Sequence, residues 1–210
     1  MTMDVSWRHP FTCVVSGPSG AGKTVFVEKL LKYKAALITP TPKRIIWSYG
    51  IKQPALEERW KGEVEFVEGL PDSDCMFTDS LIVIDDQMAE TDQSVANLFT
   101  KGSHHNKLSV VYIVQNLFGK NPHMRTISLN GHYLVLFKNP RDATQAANLG
   151  RQMYPRRLKY FQSAYKQATS GAHSYLLCDL RQETPDHLRL RTNIFPEDQG
   201  QVVFVEKDSK

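Results

Sequence analysis

Residues Gly17 to Thr24 read Gly-Pro-Ser-Gly-Ala-Gly-Lys-Thr, a complete match to the phosphate-binding loop G-x-x-x-x-G-K-[ST] (Walker A). The motif constrains the fold because it works only at the junction between a buried strand and the amino end of a helix. Both flanks have that form. Phe11-Thr-Cys-Val-Val15 is an apolar, β-rich run, and Phe26, Val27, Leu30 and Leu31 recur at helical spacing after Thr24. This predicts a helix to about Ala36, ended by Thr39-Pro-Thr-Pro42. Gly17, Gly20 and Gly22 have no Cβ, so the loop can curl and turn its backbone N–H groups inward, with Pro18, Ser19 and Ala21 completing the cradle. The ligand that suits such a cradle is a nucleoside triphosphate such as ATP. Lys23 then serves its β and γ phosphates, and the Thr24 hydroxyl is a ligand for Mg2+.

Further elements follow in alternation. Arg44-Ile-Ile-Trp-Ser48 reads as a second strand, Pro54 to Lys61 as a short polar helix, and Val64 to Val67 as a short strand towards a sheet edge. Leu70 to Ser80 reads as a loop. Leu81-Ile-Val-Ile84 is continuously apolar, the mark of a parallel strand buried on both faces, and it stops at Asp85-Asp86. Thr91 to Lys101 has helical spacing. Ser109-Val-Val-Tyr-Ile-Val114 is another buried strand ending at Gln115, and an irregular stretch separates it from a strand at His132–Phe137. Strands alternating with helices predict an α/β fold, a three-layer P-loop NTPase with a mostly parallel doubly wound sheet, in which ligands bind beyond the carboxyl ends of the strands.

At those ends stand the candidate catalytic groups. Asp85, delivered by a buried strand, is the Walker B residue on the metal side. Asp86 is the candidate to orient or deprotonate the attacking water, since adjacent strand residues point in different directions. In isolation an Asp-Asp pair after a core strand reads better as a solvated turn; the upstream loop about sixty residues before it favours the catalytic reading. Gln115 carries an amide that can donate to a γ-phosphate oxygen and accept from the lytic water, or simply cap a loop.

The chain has 210 residues and a net charge of +4, enough for one domain with a developed core and too small an excess to imply nucleic acid by itself. No linker composition divides it, so residues 1–210 read as one P-loop domain with a core at about 8–140 and a helical and strand extension at about 141–210. Its three cysteines, Cys13, Cys75 and Cys178, are scattered and lack metal-type spacing, which predicts reduced thiols inside a cell. No apolar run reaches the length of a membrane span, and the first residues lack a signal-peptide pattern, so the expectation is a soluble protein. His104 and His105 have no Cys or acidic partner at ligand spacing, which argues against zinc. The basic-aromatic stretch Arg151–Tyr160 is read equally as a phosphate-tracking surface with stacking tyrosines or as a solvated helix face.

Longer segments carry a resemblance. Leu98-Phe-Thr-Lys-Gly-Ser-His-His-Asn-Lys-Leu-Ser-Val-Val-Tyr-Ile-Val-Gln-Asn-Leu-Phe118, Met124-Arg-Thr-Ile-Ser-Leu-Asn130, Leu136-Phe-Lys-Asn-Pro-Arg-Asp142 and Gln152-Met-Tyr-Pro155 are similar to the viral genome-packaging ATPases of the FtsK/HerA superfamily. Within it they resemble the poxvirus-type branch carried by Polinton (Maverick) elements, adintoviruses and related double-stranded DNA viruses, over about residues 8 to 204. The resemblance implies an ATP-hydrolysing motor, a ring of six subunits, that moves double-stranded DNA into a capsid, with a capsid or portal-vertex protein as partner. It implies a protein inside the host cell, in a viral factory, the nucleus or the cytoplasm, or with the virion.

It also implies an additional-strand core, in which the Gln115 strand lies between the loop strand and the Asp85 strand and sets Gln115 beside the γ-phosphate. The carried-over residues are Gly17, Gly22, Lys23 and Thr24 for the loop, Asp85 and Asp86 for Mg2+ and water, and Gln115 as sensor. Many relatives have Asp-Glu where this chain has Asp85-Asp86. Relatives also carry arginine before the sensor strand, where this chain reads Thr100-Lys-Gly-Ser-His-His-Asn-Lys107; Lys101, Arg125 and Arg141 are unranked candidates for a finger reaching a neighbouring subunit's site.

Two other functions share the loop. A small-molecule or nucleoside kinase requires an acceptor site and an Arg-rich lid, and no convincing lid is present in the sequence. A nucleotide-dependent assembly switch needs no hydrolytic apparatus, against which Asp85, Asp86 and Gln115 argue together.

Overall fold

The computed structural model of the chain describes residues 6–70, 78–85, 93–102, 107–118 and 122–206. Cys75, Asp86, His104, His105 and the side chain of Lys101 lie outside the described residues. Strands β1 (Trp7–Arg8) and β3 (Ile38–Thr39) pair in parallel as a short ribbon. The other strands are β2 (Thr12–Ser16), β4 (Arg44–Tyr49), β5 (Glu65–Glu68), β6 (Ser80–Ile84), β7 (Leu108–Val114), β8 (Tyr133–Phe137), β9 (Tyr175–Asp179), β10 (Leu190–Thr192) and β11 (Val202–Val203). They form one nine-stranded sheet in the order β11-β10-β9-β8-β2-β7-β6-β4-β5. From β5 to β8 every pairing is parallel, and β9, β10 and β11 continue it antiparallel. This is the mostly parallel α/β sheet expected. The short β5 sits at an edge, and β7 runs between β2 and β6.

Side chains alternate across the sheet with period two, as pleating requires. Cys13, Val15, Leu81, Val83, Val111 and Ile113 face one core, and Val14, Ile82, Ile84, Val110, Tyr112 and Val114 the other. All are essentially solvent-free, which explains why β6 and β7 read as unbroken apolar runs. The first face is covered by α1 (Lys23–Lys32) through Phe26, Val27, Leu30 and Leu31, and by α3 (Pro54–Arg59) through Leu56. The second is covered by α4 (Gln93–Asn97), α5 (Pro122–Leu129), α6 (Thr144–Met153) and α7 (Leu158–Ala168). The result is three layers. Among the described residues no helix is long and apolar enough to cross a membrane.

Three local differences from the sequence reading stand out. The first helix stops at Tyr33 (φ −101°, ψ 18°) and resumes as α2 (Lys34–Leu37), and the Tyr33 hydroxyl donates to Glu197 Oε2 at 2.6 Å. The helix expected up to Lys101 widens into a π-turn at Leu98–Gly102, where the Thr100 hydroxyl donates to the Ala96 carbonyl at 3.0 Å and competes for the acceptor of the regular i−4 bond. The stretch expected to be irregular contains α5, whose buried apolar residues, among those described, are Met124 and Ile127.

Candidate functional site

The loop begins where β2 ends, and Gly17 N–H donates to the Val114 carbonyl of β7 at 3.2 Å. That contact ties the loop to the strand that ends at Gln115. A Cβ on Gly17 would lie 2.7 Å from Phe137 Cβ at the end of β8, so glycine here is a packing requirement. At the other end Gly22 forms the N-cap of α1 with φ 104°, a left-handed conformation that favours glycine. No side chain caps this helix end, and its first turn carries no acidic residue. First-turn N–H groups have no intrahelical acceptor and carry the positive end of the helix dipole, so this end is matched to an anion.

Around it lies a cleft of about 580 Å3 whose lining includes Gly20 to Val25, Asp85 and Gln115. The structure thus brings Lys23 and Thr24, at the start of α1, and Asp85 and Gln115, at the ends of β6 and β7, to one cavity. Lys23 Nζ donates to the carbonyls of Gly17 at 2.6 Å and Pro18 at 3.2 Å, so the ammonium rests within the curl of the loop. Asp85 is 5% exposed, and its N–H donates to the Ser48 carbonyl of β4 at 3.0 Å. Gln115 is exposed on the cleft wall.

An alcohol oxygen from Thr24 and a carboxylate from Asp85 are hard donors that suit a magnesium ion retaining phosphate and water ligands. The cradle's left-handed glycine, uncapped helix end and enclosed lysine suit the phosphates. The residues present therefore fit Mg2+ and a nucleoside triphosphate.

Sequence reasoning missed three further residues on this cleft. Gln53, at the N-cap of α3, donates its amide Nε2–H to Asp85 Oδ2 at 2.9 Å and holds that carboxylate in place. Its only advance signal was the following Pro54, which marks a helix start. Lys29 also lines the cleft and forms an ion pair with Glu197 at 2.5 Å. The Lys29 ammonium and then the Tyr33 hydroxyl push the Glu197 carboxyl down to about 2, so the segment after β10 is clipped to the loop's own helix. His173 adopts φ 58° and sets its ring Nδ1 3.3 Å from the Ala21 carbonyl.

Two of the finger candidates stand apart. Arg125 and Arg141 are exposed and neither lines the cleft, whose described cations are Lys23 and Lys29. In the basic-aromatic stretch, Tyr154 is 5% exposed and meets Tyr160 edge to face at 5.3 Å. Tyr160 donates its hydroxyl to the Phe204 carbonyl at 2.7 Å, and Arg157 pairs with Glu206 at 2.7 Å. These tyrosines are packing residues, and the exposed cations of the stretch are Arg151, Arg156, Arg157 and Lys159.

No protein-family model and no curated protein matches the chain. Among solved structures the fold is similar to the genome packaging NTPase B204 from Sulfolobus turreted icosahedral virus 2 in complex with AMPPCP, with a TM-score of 0.53 and 11% identity over 83% of this chain and 95% of that one. The same protein in complex with ATP-gammaS gives a TM-score of 0.51 and 12% identity over 83% of this chain and 94% of that one. At such identities the likeness is one of fold, and the fold is that of P-loop NTPases.

Proposed function

We propose that this chain is an ATPase of the genome-packaging type, a motor that uses hydrolysis to move double-stranded DNA into a capsid. The observation that carries the reading is the convergence of the Walker loop, Asp85 and Gln115 on one cleft, with β7 between β2 and β6. The fold shared with a viral packaging NTPase supports it. In this reading Lys23 leaves the carbonyls of Gly17 and Pro18 for the β and γ phosphate oxygens, an exchange of neutral acceptors for charged ones. Thr24 and Asp85 hold the magnesium shell, with Gln53 fixing the carboxylate's direction. Magnesium, when bound, neutralises charge on the phosphates. Asp86 orients or deprotonates the attacking water, and the Gln115 amide bridges that water and the terminal phosphate.

We further place the protein in a homo-oligomeric ring acting inside the host cell, with a capsid or portal-vertex protein as partner and an arginine or lysine from the neighbouring subunit completing the site. The test is steady-state ATP turnover with and without long double-stranded DNA, run beside a mass measurement in solution. Low basal turnover that rises with DNA, oligomerisation, and loss of turnover in Lys23→Ala with unchanged folding are expected. A kinase is indicated instead if phosphate passes to a small acceptor, and an assembly switch if nucleotide binds and orders a ring without repeated turnover.

A further inference from the structure

The cleft has a direction. Asp85 and Gln115 both lie on the β7 and β6 side of the phosphate loop, so the terminal phosphate and its metal belong on that side. A linear nucleotide held there must send its other end across the loop towards β8. On that flank the structure has a second cavity, of about 360 Å3, between the end of β8 and the segment Ser170–Ser174 that joins α7 to β9. This lies within the usual range for small-molecule sites, about 300–1,000 Å3. Ser19, Gly20, Ala21 and His173 line both cavities, so the two are halves of one groove folded over the loop.

The second half has the chemistry of a nucleoside seat. Its charged lining group is Lys138, it has no carboxylate, and Pro140 and Ala172 offer flat apolar surface. The 170–174 segment is docked on the loop. His173 holds a left-handed φ of 58°, a conformation unfavourable outside glycine that persists where its surroundings determine it. Those surroundings are the Ala21 carbonyl, 3.3 Å from the imidazole, and Gly22, where an added Cβ would stand 3.1 Å from His173 Cβ.

We propose that this second cavity seats the base and ribose of the bound nucleotide, and that His173 is a positioning residue at the ridge where the nucleoside meets the phosphates. The proposal rests on the nucleotide reading given above. It assigns to the 170–174 segment the part of recognition that the Walker loop does not supply.

The test compares the affinities of the full chain for Mg-ATP and for inorganic tripolyphosphate with Mg2+, by calorimetric titration. The wild type should prefer ATP by about tenfold or more, the value of one or two good contacts. His173→Ala should remove most of that preference while tripolyphosphate binds as before. Independently, 8-azido-ATP should photolabel residues 137–141 or 170–174. Labelling outside both segments overturns the proposal. An unchanged preference in His173→Ala overturns the role of His173, as does an equal loss of both ligands, which would make His173 only a prop of the loop. Tripolyphosphate binding with no wild-type preference for ATP sinks the nucleoside seat alone, whereas binding of neither ligand sinks the nucleotide reading itself.

Discussion

Replacing Gly17 by alanine tests how closely the phosphate loop is pressed against β8. The backbone of Gly17 is not left-handed, so alanine can adopt it, and a compatible Gly→Ala change gains about 0.4–1 kcal/mol by restricting the unfolded chain. Against this stands a Cβ placed 2.7 Å from Phe137 Cβ and 3.4 Å from Phe137 Cγ. Phe137 has little room to retreat, because its ring is hemmed by Phe26 at 6.2 Å and Tyr175 at 5.9 Å. Overpacking of this kind costs about 1–3 kcal/mol. The steric term wins, and the net loss of about 1–2 kcal/mol lowers Tm by about 2–8 °C for a chain of this size.

Trimming the ring in Gly17→Ala/Phe137→Leu should not rescue the variant, since the nearest atom is the β-carbon that leucine keeps. The displaced loop should bind nucleotide about tenfold more weakly. At a Mg-ATP concentration of about 100 times the wild-type Kd, ligand stabilises the wild type by about 2.7 kcal/mol and the variant by about half of that. Thermal denaturation with and without Mg-ATP reads both numbers. A variant with wild-type Tm and an undiminished ligand shift would refute the close approach of loop and β8.

Two other perturbations address separate contacts. Gln53→Ala removes the amide held by Asp85; loss of such an outer partner weakens metal binding by about 10–100-fold, so the Mg2+ concentration for half-maximal nucleotide binding should rise at least tenfold, and an unchanged value would dismiss Gln53 as a positioning residue. His9 is buried, with Nδ1 2.6 Å from Ser109 Oγ and Nε2 3.3 Å from Asp79 Oδ1; burial lowers its pKa, with Asp79 opposing and Lys107 assisting. The folded state therefore resists protonation that the unfolded chain accepts near pH 6.5, and stability falls as pH drops from about 6.5 towards the lower folded value. His9→Gln should flatten the wild-type slope of unfolding free energy between pH 5 and 6.5, measured in urea; a variant with the same slope there would assign the pH dependence to other groups.

What was legible in the sequence is what local geometry or two-sided burial demands. The glycines, Lys23 and Thr24 stand out because a phosphate cradle admits few alternatives, and β6 and β7 because neither has a wet face. α5 was illegible because its buried contribution reduces to Met124 and Ile127, too few for a period to show. Gln53 and His173 act through contacts spanning 32 and 152 residues, to Asp85 and Ala21, and no motif records such pairs. The tyrosines at 154 and 160 were ambiguous for a similar reason: a ring that packs under Phe204 and a ring that waits for a base have the same one-letter code.

Strand order is the subtler case. β2, β6, β7 and β8 are all equally apolar, so their hydrophobic patterns give no spatial order, and only the family resemblance implied that the latecomer β7 enters beside β2. The proposed function depends on that insertion. Neighbouring strands lie about 4.8 Å apart, so the strand that ends at Gln115 lies one spacing from the loop strand and the strand that ends at Asp85 two, about 10 Å between strand axes. In the proposed reading that spacing leaves room for a hydrated magnesium ion between the carboxylate and phosphates held in the loop, the state that ion prefers. This order sets the amide strand nearer the loop than the carboxylate strand, which in the proposed reading matches Gln115 to the terminal phosphate and Asp85 to the water shell of the metal.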